Sequence, residues 1–308
     1  MWGAPQAFAR ARPQLMLFEL LELWPHWVKA CERAGVPSVV VNARVSPRTL
    51  YARPLLKPTF ERLSLVLAQT PLDAERAVWM GAHPSRVQCL GNSKYDALLG
   101  ELLEGELLEG TLLYERPLQL IFGALRPEDE RALIALAPQL KGQRVLIAPR
   151  YPQRAQRLAH ALSARGLRCA LRSEQPELSA LEWLTREAPH ATLILDTLGE
   201  LRGLYAHSVA AILGGSFTGR STGSPQSMIE AARAGCVIAY GPRAKRLPLE
   251  LNALREPGAQ GFNTAQEATR WALAASPLSA QALTQRAEAL RALTGAAERQ
   301  WRALSELL

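Results

Sequence analysis

Val209-Ala-Ala-Ile-Leu-Gly-Gly-Ser216 runs an apolar segment straight into a pair of glycines. The segment has the length of a buried strand rather than of a helix, and the glycines let a backbone or a ligand approach closely where it ends. The pattern recurs outward from this point. Residues 118–122, 144–148, 192–195 and 236–239 are further apolar runs of strand length, each followed by a helical stretch. Strands alternating with helices specify an α/β fold with a doubly wound parallel sheet.

The first third of the chain repeats the alternation. Strands are expected at 15–18, 38–42 and 65–68, a helix from Trp24 to Ala34 is stopped by Gly35, and another opens with Thr70 as cap and Pro71 at its first position before Gly81 ends it. Between Gly100 and Gly110 the sequence reads GELLEGELLEG. That period matches neither a helix nor a strand, so a linker is placed at 99–115. It divides residues 1–98 from residues 116–308, the latter closed by a helix from about Ser279 to the C-terminus, for which packing back on the first domain is the alternative.

With 308 residues, 48% of them hydrophobic, the chain can bury two separate cores. No apolar run approaches the roughly 20 residues of a membrane span, and the first dozen residues lack a secretory pattern, so a cytoplasmic location is expected. Cys31, Cys89, Cys169 and Cys236 are scattered, as are the five histidines. The cysteines therefore read as partly buried thiols, and no metal site is expected. A net charge of +8 favours an anionic partner. Aromatic residues are sparse and are not interleaved with basic blocks, which argues against nucleic acid.

Open parallel sheets bind ligands beyond the carboxyl ends of their strands, so the strand-to-loop junctions carry the candidates. Pro149 and Arg150 follow one strand, where a guanidinium would pair with a phosphate unless it is simply a solvated turn. Asp196-Thr-Leu-Gly-Glu200 follows another, with Thr197 and Glu200 spaced as a capping box, whose helix N-terminus would offer free N–H groups to a ligand while Gly199 lets it approach the backbone. Gly214, Gly215 and Ser216 form a phosphate or sugar loop. A helix over 225–234, capped by Ser224 and stopped by Gly235, carries Ser227, Met228, Ile229 and Glu230, the last able to accept hydrogen bonds from two ribose hydroxyls unless it is simply solvated. In the first half, Lys94 lies in a turn within Gly91-Asn-Ser-Lys-Tyr-Asp96, near the cleft between the halves, and Glu19 and Glu22 follow the first strand.

In this order, the segments resemble the Kdo (3-deoxy-D-manno-octulosonic acid) transferases of lipopolysaccharide synthesis, glycosyltransferase family 30. ELLELWPH at 19–26 is similar to that family's E-T-E-L-W-P-N, and Val41-Asn-Ala-Arg-Val-Ser46 to V-N-A-R-L-S. GNSKYD at 91–96 resembles G-N-L-K-F-D, 149–154 resembles P-R-H-P-E-R, 196–201 resembles D-T-M-G-E-L, and 213–216 resembles V-G-G-S. The match runs on through Tyr240-Gly-Pro242 to Thr294-Gly-Ala-Ala-Glu-Arg299.

The resemblance implies a glycosyltransferase B architecture of two Rossmann-like domains, with CMP-Kdo bound by the second and a lipid A precursor by the first. Pro149, Arg150, Leu198, Gly199, Glu200 and Ser227 to Glu230 would hold CMP. Lys94 and Glu22, which keeps the spacing to Trp-Pro, would support the transition state of an inverting displacement without cofactor or metal. The chain would work peripherally at the cytoplasmic face of the inner membrane. The family's general base, on a glycine–glutamate loop further upstream, has no counterpart from Met1 onward. The first domain is therefore expected to be incomplete, and the chain alone to transfer little Kdo. G-G-H-N-P-L-E has become Ser224-Pro-Gln-Ser-Met-Ile-Glu230, and S-T-H has become Ala124-Leu-Arg126. A non-catalytic nucleotide-binding homologue, a half-enzyme completed by a partner chain, and a relative with another donor are the other readings.

Overall fold

The computed structural model describes residues 4–100, 116–187, 191–217, 225–254 and 258–308. The chain divides into two compact units, one made of Met1–Gly100 with Leu293–Leu308 and the other of Glu101–Ala292. Residues 101–115, the core of the expected linker, lie outside the described residues, as does the expected cap Ser224.

In the first unit, β1 (Met16–Glu19), β2 (Ser38–Ala43), β3 (Leu65–Ala68) and β4 (Val87–Cys89) form a parallel sheet in the order β1-β2-β3-β4. Alternate residues of one strand serve opposite faces. Val40 and Val66 pack with Val28, Phe60, Ala77 and Met80 from the helices Pro25–Ala34, Arg53–Arg62 and Pro71–Met80. Val39, Leu65 and Leu67 pack on the other side with Ala303 and Leu304 of the helix Ala296–Ser305. That arrangement corrects the single closing helix expected from Ser279. The chain makes two helices, Ala280–Arg291 and Ala296–Ser305, because Gly295 enters the left-handed region at φ +79° between them. Asp96 caps the second, accepting from Gly295 N at 2.5 Å and Ala297 N at 2.9 Å.

Among its described residues the second unit holds seven parallel strands: β5 (Leu118–Leu125), β6 (Val145–Pro149), β7 (Cys169–Leu171), β8 (Thr192–Ile194), β9 (Ser208–Leu213), β10 (Val237–Tyr240) and β11 (Ala259–Gly261). Their order is β11-β10-β9-β5-β6-β8-β7. The central strands are buried along nearly their whole length, as helices on both faces require. From β5 the chain winds outward through β6, then returns to the other side of β5 with β9. The reversal opens a crevice between the carboxyl ends of β5 and β9, where doubly wound sheets bind ligands.

Among the described residues no helix is long and apolar enough to cross a membrane, and no three potential metal ligands converge. Cys31 and Cys236 are buried and Cys169 half-buried, but Cys89 is exposed at the edge strand β4, against the expectation that all four would be at least partly buried. Burial pushes the Cys236 thiol up to about 12.

Candidate functional site

The glycine pair sits at the crevice. Gly214 N donates to Gly123 O at 2.9 Å, and a side chain on Gly214 would overlap the Ala124 carbonyl, so only glycine lets β5 and β9 end this close together. Gly215 follows at φ +76°, and its N–H donates to Asp129 Oδ2 at 2.7 Å. Ser216 is buried, with its hydroxyl donating to Leu213 O at 2.9 Å. These groups are engaged within the protein, so an anion arriving here would be met by side chains.

Arg150 leaves β6 beside them. Its backbone N–H donates to Leu125 O at 2.7 Å, and its exposed guanidinium donates through Nη1 to Gln226 Oε1 at 2.8 Å. Gln226 N donates in turn to Gly214 O at 3.0 Å. One glutamine thus joins the arginine to the glycine turn. Pro149 is the buried last residue of β6. Arg154, the other arginine of this run, pairs bidentately with Glu130 at 2.6 and 2.7 Å, which anchors the loop and leaves Arg150 as its outward cation.

The 196–200 segment is closed on itself. Asp196 accepts from Ser173 N at 2.8 Å and Ser173 Oγ at 2.5 Å, while Glu200 accepts from Thr197 Oγ1 at 2.5 Å and Arg172 Nε at 2.9 Å. Burial by itself would raise the Glu200 carboxyl, but the bonds from Thr197 and Arg172 outweigh it and hold the group below the usual carboxylate range. The expected capping box is not made. The helix is only Leu201–Leu204, Glu200 occupies its N-cap position, and no side chain caps it. The closed turn pushes Leu198 outward to 83% exposure, with Gly199 beside it at φ +95° and open space at its Cα.

The helix expected over 225–234 is shorter, Ile229–Arg233. Met228 and Ile229 are buried, so their side chains support the segment from within. Ahead of it, Glu250 is fully buried and accepts from Ser227 Oγ at 2.9 Å and Met228 N at 2.7 Å. Glu230 is half-buried in the first turn of the helix. Arg243, which follows Gly241-Pro242 after β10, donates through Nη1 to Gly215 O at 2.8 Å. Sequence reasoning missed Asp129, Gln226, Arg243 and Glu250. The one signal available was the match at Tyr240-Gly-Pro242, directly before Arg243.

In the first unit Glu22 is exposed in the turn after β1. Lys94 is exposed at the first position of the helix Lys94–Leu99, not in a turn, with its ammonium 5.7 Å from the Tyr95 ring centroid. β1 and β4 are opposite edges of the sheet, so at a strand spacing near 4.8 Å the two backbones stand roughly 14 Å apart. Around Lys94 the motif is structural: Ser93 N donates to Asn42 Oδ1 at 2.9 Å, and Gln300 Nε2 donates to the same oxygen at 2.9 Å.

Residues 1–97 match the family model described as 3-deoxy-D-manno-octulosonic-acid transferase (kdotransferase). Across 323 aligned positions, 99% of this chain and 72% of the relative, the sequence is 33% identical to the 3-deoxy-D-manno-octulosonic acid transferase of Bordetella pertussis. The chain belongs to the Kdo transferase family. The Haemophilus influenzae Kdo transferase is 27% identical over 67% of this chain, which there spans 48% of the relative's length. In fold, the chain resembles HepE from Anabaena in complex with UDP, with a TM-score of 0.57 over 98% of this chain and 82% of that one at 14% identity. This Kdo transferase family member therefore has the two-unit Rossmann-like architecture of glycosyltransferase B proteins.

Proposed function

We propose that the chain takes part in moving Kdo from CMP-Kdo to a lipid A precursor, the second unit holding the donor and the first contributing to the acceptor side. The observation that carries this reading is the Gln226 bridge, which fixes Arg150 beside the Gly214 turn at the switch point of the sheet. The cation stands where a nucleotide phosphate would leave. Displacement at the anomeric carbon builds positive charge on the sugar and negative charge on the departing CMP phosphate. A preorganised guanidinium stabilises that phosphate without reorganising during the reaction.

In this reading the Leu198–Gly199–Glu200 turn faces the base and Glu230 accepts from the ribose hydroxyls. Pro149 and the 227–229 segment hold these groups in place. Lys94 and Glu22 would support the transition state, and the chemistry needs no cofactor. A net charge of +8 would favour approach to the anionic acceptor at the inner-membrane surface.

Calorimetry tests the donor site. The chain should bind CMP, and Arg150→Ala should weaken binding about tenfold or more, as loss of a charged hydrogen bond implies. Equal affinity in the two proteins would refute the site.

A further inference from the structure

We propose that Arg126 and Arg243 form an anion subsite over Gly215, which takes a carboxylate or phosphate oxygen of the bound sugar nucleotide. The proposal rests on the nucleotide-sugar reading of this crevice and adds residues that reading does not use. Arg126 is the first residue after β5, and Gly215 follows the neighbouring strand β9. The Arg126 side chain lies directly against that glycine, since a Cβ built on Gly215 would come 3.0 Å from Nε and 3.1 Å from Cδ. Arg243 reaches the same residue from the loop after β10, with Nη1 2.8 Å from Gly215 O. Two guanidiniums from loops on either side of β9 therefore converge on one residue at the switch point.

Such convergence is costly for Arg243, which is only 7% exposed. Burial, then the positive charges of Arg246 and Arg126, hold its guanidinium below the ordinary arginine range, while Asp129 and Glu128 work the other way. The charges of Arg246 and Arg126 both press on the Arg243 guanidinium, and an anion bound between Arg126 and Arg243 would offset that pressure. The glycine turn has little to offer that anion, because the Gly215 N–H is already given to Asp129. Planar guanidinium forks are the groups suited to a carboxylate or phosphate here. A CMP-linked acidic sugar brings both, a phosphate diester and a carboxylate carried by the same anomeric carbon.

The experiment compares wild type with Arg126→Gln, and with Arg243→Lys as a second variant that keeps the charge at the buried position. Melting curves establish folding. Calorimetry with cytidine, CMP and freshly dissolved CMP-N-acetylneuraminate, a CMP-linked acidic sugar, reads the ligand. Cytidine affinity should be unchanged. If the subsite takes the phosphate, Arg126→Gln weakens CMP about tenfold; if it takes the carboxylate, CMP is unaffected and only CMP-N-acetylneuraminate is weakened. Equal affinities for both nucleotides in folded Arg126→Gln and Arg243→Lys overturn the proposal. Should wild type bind no nucleotide, titration of inorganic phosphate followed by ³¹P NMR separates the two ideas. Arg126-dependent phosphate binding keeps the subsite and discards the nucleotide reading, whereas absence of phosphate binding discards both.

Discussion

Gln226 stands where the family's G-G-H-N-P-L-E motif carries histidine, and it joins Arg150 to Gly214 with an uncharged side chain. A histidine there would change charge near neutrality, but glutamine does not, so the bridge keeps its geometry across the range in which imidazole titrates. Replacing it by alanine should free Arg150 to wander. Calorimetry on Gln226→Ala should show CMP affinity about fivefold weaker, the equivalent of one hydrogen bond near 1 kcal/mol, with the melting temperature almost unmoved. An unchanged affinity would mean that Arg150 needs no holding. Arg150, Gly214 and Glu230 were legible in the sequence because each lies at or just beyond the end of a strand or the start of a helix. Gln226 and Glu250 were not. Their partners, Arg150 and Ser227, lie 76 and 23 residues away, and only the folded sheet brings them together.

The 196–200 turn behaves as one element, closed by Thr197 and Arg172 on the Glu200 carboxylate. Because the folded pKa of Glu200 is depressed, its contribution is fully present above the unfolded value and is lost as pH falls through the folded one. Chemical denaturation between about pH 6 and pH 3 should therefore show wild type losing more stability than Glu200→Gln, which has no such proton to bind. Parallel pH profiles would show that the carboxylate does not close the turn. Among the elements, those with strong punctuation were read well: Gly35 ends one helix, and Thr70 with Pro71 and Gly81 bound another. β4, β7 and β11 were missed because each is an edge strand of three residues, too short to show a period. The break before Ala296 was missed because apolar residues continue through Gly295, whose left-handed φ only the folded chain reveals.

At the scale of the molecule, the first unit is finished by residues that come after the whole second unit. Leu304 alone contributes about 1.5–3 kcal/mol when fully buried, and with Ala303 it covers Val39, Leu65 and Leu67. Ending the chain after Ala292 should lower the first unit's thermal transition markedly while leaving CMP affinity of the second unchanged. Calorimetric scanning would resolve the two transitions, and an unmoved first transition would contradict the assignment of residues 293–308 to that unit. The alternating strand and helix pattern announced both sheets but left the last helix between two cores, its packing back on the first domain being the alternative that the structure has. The arrangement also sets an order of events during synthesis. Asp96 leaves the ribosome about 200 residues before Gly295 and Ala297, an interval on the order of 10–40 s at roughly 5–20 residues per second. Throughout it the apolar face formed by Val39, Leu65 and Leu67 lacks the Ala303 and Leu304 that later pack on it, so the nascent first sheet should lean on holding chaperones until the helix Ala296–Ser305 emerges.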